Sequence, residues 1–282
     1  MSTLPVPGAS LYYETHGSGP LLVMVPGATG TAESLRKVGE YLAQTHTVAG
    51  YDRRGFSRSH LDGPQDDDRR LDTDADDLRR LIQHLSSRPA TVLGVSSGAT
   101  VALQLLTLYP DAVGTLVPFE PPAVRLLPDG QEWVDFFHHI YNRYHQTGIG
   151  PAIHQFREQT FAPSDRAAMA QAMTSDPRIA GQIHTNLAYW FEHELRQYPA
   201  VHLDLPSLRA YADRIVPAAG RDSHGYPCRQ ATEELGKQLD RQLIDLPGGH
   251  LGCINQPAAF AAELLQALRD QTAQPQAIGQ ED

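Results

Sequence analysis

The sequence predicts an α/β protein, a mostly parallel central sheet flanked by helices and interrupted late in the chain by a helical insertion. Three observations carry this. Short apolar runs at residues 21–25, 47–51, 90–93 and 114–119 alternate with stretches of helical period, as parallel strands joined by helical crossovers do. Gly94-Val95-Ser96-Ser97-Gly98 joins one of these strands directly to a helix. From about residue 129 to 200 the alternation stops, and helical period with many aromatics takes over.

In chain order, residues 9–16 read as an edge strand, followed by a turn at Gly17-Ser18-Gly19-Pro20. Leu21-Leu22-Val23-Met24-Val25 is apolar throughout, as expected of a strand covered on both faces. It ends in Pro26-Gly27-Ala28-Thr29-Gly30, a flexible turn before a helix over 31–44. The strand at 47–51 closes on Asp52-Arg53-Arg54-Gly55-Phe56-Ser57, where Asp52 and an arginine are expected to tie the loop down. The acidic cluster from Asp66 to Asp77 reads as a solvated helix start: Leu71, Ala75, Leu78, Leu81, Ile82 and Leu85 share a helical face, and acids near an N-terminus suit the helix dipole.

After the strand at 114–119 comes Glu120-Pro121-Pro122 and then the insertion, with Trp133, Phe136, Phe137, Tyr141, Tyr144, Tyr189, Trp190 and Phe191. Residues 1–122 and 205–282 are expected to form the core, and 123–204 a helical cap inserted after the sixth strand. The sheet resumes near residue 214. A helix over 229–239, a strand over 241–246 and a last helix over 257–269 follow, and the polar tail from Gln271 is expected to fray. There is no internal repeat.

Composition excludes several classes. The 282 residues are 41% hydrophobic, ordinary for a globular chain, and this length need not be split into two domains. A net charge of −10 argues against nucleic acid or an anionic membrane as partner. The apolar runs near the start are too short for a membrane span or a signal peptide, so a cytoplasmic location is expected. Cys228 and Cys253 match no metal spacing, and no metal or cofactor is called for.

The chemistry centres on Ser96. A serine between small residues at a strand-to-helix turn suits the G-x-S-x-G nucleophile elbow, in which a strained backbone pushes the hydroxyl outward. The helix that follows adds its N-terminal dipole and free N–H groups, which favour negative charge there. A serine nucleophile needs a base, and His250 of Gly248-Gly249-His250 stands at the end of the last strand, where the glycines let the loop fold back.

Pro26 to Gly30, Tyr51 to Ser57, Gly94 to Gly98 and Gly249-His250 together resemble the α/β-hydrolase family, in particular its lid-bearing esterase-like members. The resemblance covers roughly residues 9–269 in element order. It implies a triad in the order serine, acid, histidine, with an oxyanion hole from the N–H groups of Ala28 and Ser97. Many members carry His-Gly where this chain has Pro26-Gly27, so a hydrogen bond from that histidine is absent here.

Three carboxylates compete for the acid. Asp222 is preferred: it follows the candidate seventh strand and precedes His250 by 28 residues, room for a loop, helix and strand. Asp213 fits the family's Asp followed by Val-Pro, but leaves an unusually long loop before the helix at 229. Glu120, at the end of the preceding strand, is where some members keep their acid.

The expected function is cofactor-free serine hydrolysis of an ester, lactone or related carbonyl of a hydrophobic small molecule. Trp133, Phe137, Tyr141 and Trp190 are the candidates for its pocket. Carbon–carbon bond hydrolysis, a lyase or cyclase reaction, and a non-catalytic small-molecule receptor stay open, as does a homodimer.

Overall fold

Leucines and valines in the run 21–25 alternate between two apolar layers, and that alternation sets the architecture. In the computed structural model, which describes residues 2–175 and 177–273, Val23 and Val25 face one layer while Leu22 and Met24 face the other. The strands are β1 (Ser2–Val6), β2 (Ala9–His16), β3 (Leu21–Val25), β4 (Thr47–Tyr51), β5 (His60–Leu61), β6 (Ala90–Val95), β7 (Val113–Phe119), β8 (Ala218–Gly220) and β9 (Ile244–Leu246). They form one sheet in the order β1-β2-β4-β3-β6-β7-β8-β9, with β5 beside β2. From β4 to β9 neighbours are parallel, whereas β2 runs antiparallel to β1, β4 and β5. The expected edge strand β2 is therefore interior. Ser2–Val6 folds back on it and takes the edge. With β1 and β5 counted, the strand before the insertion is the seventh in chain order.

The helices are α1 (Arg36–Leu42), α2 (Arg70–Leu85), α3 (Ser97–Leu108), α4 (Gly130–Thr147), α5 (Ile149–Thr160), α6 (Pro163–Ser175), α7 (Pro177–His193), α8 (Leu205–Arg209), α9 (Pro227–Gln238), α10 (Gly252–Asn255) and α11 (Pro257–Ala273). Helices α2 and α3 cover one face with Leu78, Leu81, Val101 and Leu105; α1 and α11 cover the other with Val38, Leu42, Phe260 and Leu264. Helix α11 runs past the expected end at 269; residues 274–282 of the polar tail lie outside the described residues. No described helix is long and apolar enough to cross a membrane.

The chain moves outward from β3 to β4, then returns to place β6 on the other side of β3. Such a reversal opens a crevice at the carboxyl ends of the two flanking strands. The loop after β3 and the turn after β6 stand on its two sides.

Helices α4 to α7 lie between β7 and β8 and bury their own cluster, including Val134, Phe137, Ile140, Phe156, Trp190 and Phe191. Phe56, from the loop after β4, joins this cluster. The insertion is further tied down by buried charge. Glu194, just past α7, accepts from Arg53 Nη1 at 2.7 Å and Nη2 at 2.8 Å, and from Arg70 Nη2 at 3.4 Å. Arg53 also reaches Asp74 of α2 at 3.1 Å, and Asp74 accepts the Tyr198 hydroxyl at 2.6 Å. Burial works against the charged form of Asp74, yet Arg70 and Arg53 hold its carboxyl below the usual range.

These contacts correct the expectation of a solvated acidic helix start. Asp66 does cap the turn before α2, accepting the Asp68 N–H, but Asp74 and Asp77 are buried and paired with arginines. Arg54 grips both oxygens of Asp77 at 2.7 Å, and burial still pushes that carboxyl up to about 6. The arginine that ties down Asp52 is Arg58.

Replacing Glu194 with alanine leaves two buried guanidiniums short of an anion, so Glu194→Ala should lose about 3–5 kcal/mol of stability. Urea unfolding measures it, and a loss under about 1 kcal/mol would mean that water replaces the carboxylate at no cost.

Candidate active site

Ser96 follows β6 and precedes α3 with φ 54° and ψ −122°, a left-handed conformation that costs on the order of 1–3 kcal/mol and persists only where its surroundings enforce it. They do so here. Ser96 donates its N–H to Phe119 O at 2.9 Å, and its own carbonyl accepts from Ala99 at 2.8 Å. Gly98 lies so close to β3 that a Cβ there would stand 2.2 Å from Val25 O, so only glycine fits. The hydroxyl-bearing residue itself remains half-buried, at the mouth of the crevice.

The loop after β3 meets the elbow directly. A Cβ placed on Gly27 would stand 3.0 Å from Ser96 Cβ and 3.7 Å from its Oγ. Gly27 O points away, accepting from Arg53 Nη2 at 2.9 Å and from Gly30 N–H at 2.9 Å, while Pro26 O accepts from Arg53 Nε at 3.1 Å. Across a trans peptide the next N–H points the opposite way, so that of Ala28 is directed away from Arg53. Among the described residues it has no acceptor. Ser97 N–H, at the start of α3, belongs to the helix's unpaired first turn.

His250 follows β9, and its Nδ1 lies 2.6 Å from Glu120 Oε2. Oε1 of the same carboxylate accepts the Gly220 N–H at 2.8 Å. A carboxylate only accepts, so the proton between Glu120 and His250 sits on Nδ1, and Nε2 is the basic nitrogen of the neutral ring. Both side chains are buried. Glu120 also carries a positive φ, 47°, and its carboxylate spans from Gly220 at the end of β8 to His250 after β9.

The preference for Asp222 as the partner of His250 is thereby corrected. Strand β8 stops at Gly220, and the chain turns into a 3₁₀ segment at Arg221–Ser223 that leaves Asp222 exposed, its N–H bonded to Gly248 O. Asp213 lies exposed in another 3₁₀ segment, Ala212–Arg214, before β8 begins. The signal for Glu120 was an acid ending a buried strand ahead of Pro121-Pro122; what could not be read was that its backbone turns left-handed.

Of the aromatics expected in a pocket, Trp190 alone has a bond to the elbow: its Nε1 donates to Ser97 Oγ at 3.3 Å. Phe137 packs on Phe136 and Phe156, and Trp133 donates to Asp129. Tyr141 bonds Glu192 beneath Arg196. Among the described residues these three make no hydrogen bond or ring contact with Ser96, Ser97 or His250; they pack in the cluster that Phe56 and Ala28 share with the insertion. Two residues not singled out by sequence do reach the site. The Phe161 ring lies 4.7 Å from that of His250, and Asp165 accepts the backbone N–H groups of His250 and Leu251.

Cys228 and Cys253 are free and buried; burial raises both thiols, that of Cys253 to about 12, so neither competes as a nucleophile at neutral pH. Among the described residues no three His, Cys, Asp or Glu side chains gather as a metal site.

The comparisons agree with this architecture. A family model described as alpha/beta hydrolase fold matches residues 20–257. The chain is 31% identical over 258 residues to an uncharacterized hydrolase, YraK, of Bacillus subtilis, covering 89% of each chain. It is 24% identical over 276 residues to a zearalenone hydrolase of Cladophialophora bantiana, covering 93% of this chain and 94% of that one. Among solved structures, a thermophilic esterase from Thermogutta terrifontis superposes with a TM-score of 0.76 at 20% identity, over 96% of this chain and 99% of its own.

The geometry makes a direct prediction about the histidine's partner. Glu120→Gln should lower turnover by about ten-thousand-fold, as when an imidazole loses its orienting anion, while Asp222→Asn should leave it within a few-fold of the starting value. Turnover of a chromogenic ester by the two variants, at matched melting temperature, checks both.

Proposed function

Since the chain belongs to the α/β hydrolase fold family, we propose that it is a serine hydrolase acting on an ester, lactone or related carbonyl of a hydrophobic small molecule. The observations that carry this are a strained elbow serine after β6 and a buried histidine after β9 held by a carboxylate at 2.6 Å, all at the carboxyl edge of one sheet.

In this mechanism Ser96 Oγ attacks the carbonyl carbon as His250 Nε2 takes its proton. Glu120 keeps the imidazole in the tautomer with Nδ1–H and stabilises the imidazolium that forms. The negative oxygen of the tetrahedral intermediate is received by the N–H groups of Ala28 and Ser97. His250 then returns its proton to the leaving alcohol, and a water activated by the same nitrogen hydrolyses the acyl-Ser96 ester.

A hydrophobic substrate is favoured by the side chains nearest Ser97 and His250. Trp190 stands beside Ser97 and Phe161 beside His250, so the groups next to the serine and the histidine are apolar rings. The name zearalenone hydrolase on two relatives supports an organic small molecule as substrate.

Two measurements test the reading. A fluorophosphonate probe should label Ser96, and Ser96→Ala should lose both labelling and ester turnover, the latter by up to about a million-fold. With p-nitrophenyl esters, kcat/KM should rise from acetate toward medium acyl chains, because each buried methylene adds about 0.8 kcal/mol of binding. An unlabelled wild-type serine would point to a receptor without chemistry, and a steady decline from acetate to octanoate would refute the apolar pocket.

A further inference from the structure

Asp165 has a place in the structure that the proposed mechanism does not use. It lies in the first turn of α6, within the insertion, and none of its surface is accessible to water. Its two oxygens leave the insertion: Oδ2 accepts the His250 N–H at 2.9 Å and Oδ1 the Leu251 N–H at 2.9 Å. Burial pushes its carboxyl above the usual range, opposed by the Leu251 N–H, the nearby His250 and the His250 N–H. A buried carboxylate without an arginine is costly unless donors are fixed on it.

The receiving loop is built for this approach. A Cβ on Gly249 would stand 2.3 Å from Asp165 Oδ2, so the carboxylate reaches the backbone only because residue 249 has no side chain. Neither the His250 nor the Leu251 N–H has a backbone acceptor among the described residues, so Asp165 supplies acceptors that the loop lacks locally. The same short segment of the insertion places Phe161 against the imidazole. Thus the core holds His250 by its ring nitrogen, through Glu120, while the insertion holds it by its backbone and one ring face.

We propose that Asp165 is a positioning residue: by clamping the His250 and Leu251 amides from the insertion, it fixes where His250 Nε2 stands relative to Ser96. This rests on His250 being the base. An imidazole held by Nδ1 alone can still pivot about that bond, and a misplacement of about 1 Å can cost on the order of a hundredfold in rate.

The test compares Asp165→Asn, Glu158→Gln and His250→Ala in turnover of a p-nitrophenyl ester. Glu158 pairs with Arg166 of α6 but touches nothing at the site, so Glu158→Gln reports on loosening α6 alone. The amide of Asp165→Asn keeps one acceptor and turns an NH₂ toward the other N–H. Its kcat should fall by about 10- to 100-fold with KM within about threefold, while Glu158→Gln stays near wild type. Hydrogen exchange on the wild-type protein supplies a readout independent of any variant: the His250 and Leu251 amides should exchange as slowly as core amides. Fast exchange at both, a kcat for Asp165→Asn within twofold of wild type, or a rise in KM alone would each overturn the proposal. An active His250→Ala would instead refute the function on which it rests.

Discussion

Arg53 holds the structure together at the point where its parts meet. A guanidinium has five N–H donors, and here all five are engaged: one to Pro26 O, one to Gly27 O, one to Asp74 and two to Glu194. Those partners belong to the loop after β3, to α2 and to the exit from α7. An ion this deeply buried survives only with complete compensation, so each partner constrains the others. The orientation of the Gly27–Ala28 peptide, on which the proposed oxyanion site depends, is thereby coupled to how the inserted helices dock.

Helix α7 and the turn that follows it carry that coupling along a single face. Asn186 bonds Thr29 O and the Ser57 hydroxyl and receives the Ser57 N–H; Tyr189 accepts from Arg70; Trp190 donates to Ser97; Glu194 receives Arg53. Positions 186, 189, 190 and 194 follow the three-and-four spacing of one helix face. Polar groups at that spacing beside aromatics do not look like the apolar stripe of a surface helix, because this face docks on loops whose carbonyls and hydroxyls need partners.

Much of this was legible in the chain. The apolar run 21–25, the turn at Gly94 to Gly98 and Gly249-His250 each encode their place in the fold locally, through burial on both faces, small neighbours at a strained serine, and a flexible loop after a strand. The positions of Ser96 at a strand-to-helix turn and of His250 after a strand could therefore be read from pattern alone. The carboxylate partner of His250 could not, because Asp222 and Glu120 both lie just past the ends of strands. What separates them is a left-handed backbone at Glu120 and a 3₁₀ turn after Gly220, and neither is written in residue type. The contacts of the aromatics were hidden for a related reason. Their spacing shows that they share a helix face, but Phe137 and Tyr141 turned that face toward the insertion's own helices, and Phe161, outside any repeating pattern, turned to His250. Asp165 had no local signal, since its partners are backbone groups 85 and 86 positions away.

The buried carboxylates fall into two kinds, and the difference bears on chemistry. Asp74, Asp77 and Glu194 are each paired with arginine, which cancels their charge within the scaffold. Glu120 and Asp165, at the site, are held instead by backbone N–H groups and by His250. A guanidinium on Glu120 would fix its position equally well, but it would also offset the negative charge that must stabilise a protonated imidazole. Backbone dipoles orient the carboxylate without that loss. The segregation lets a chain rich in acids keep a rigid framework of neutralised pairs and reserve uncancelled negative charge for the one histidine that the proposed reaction requires to become positive.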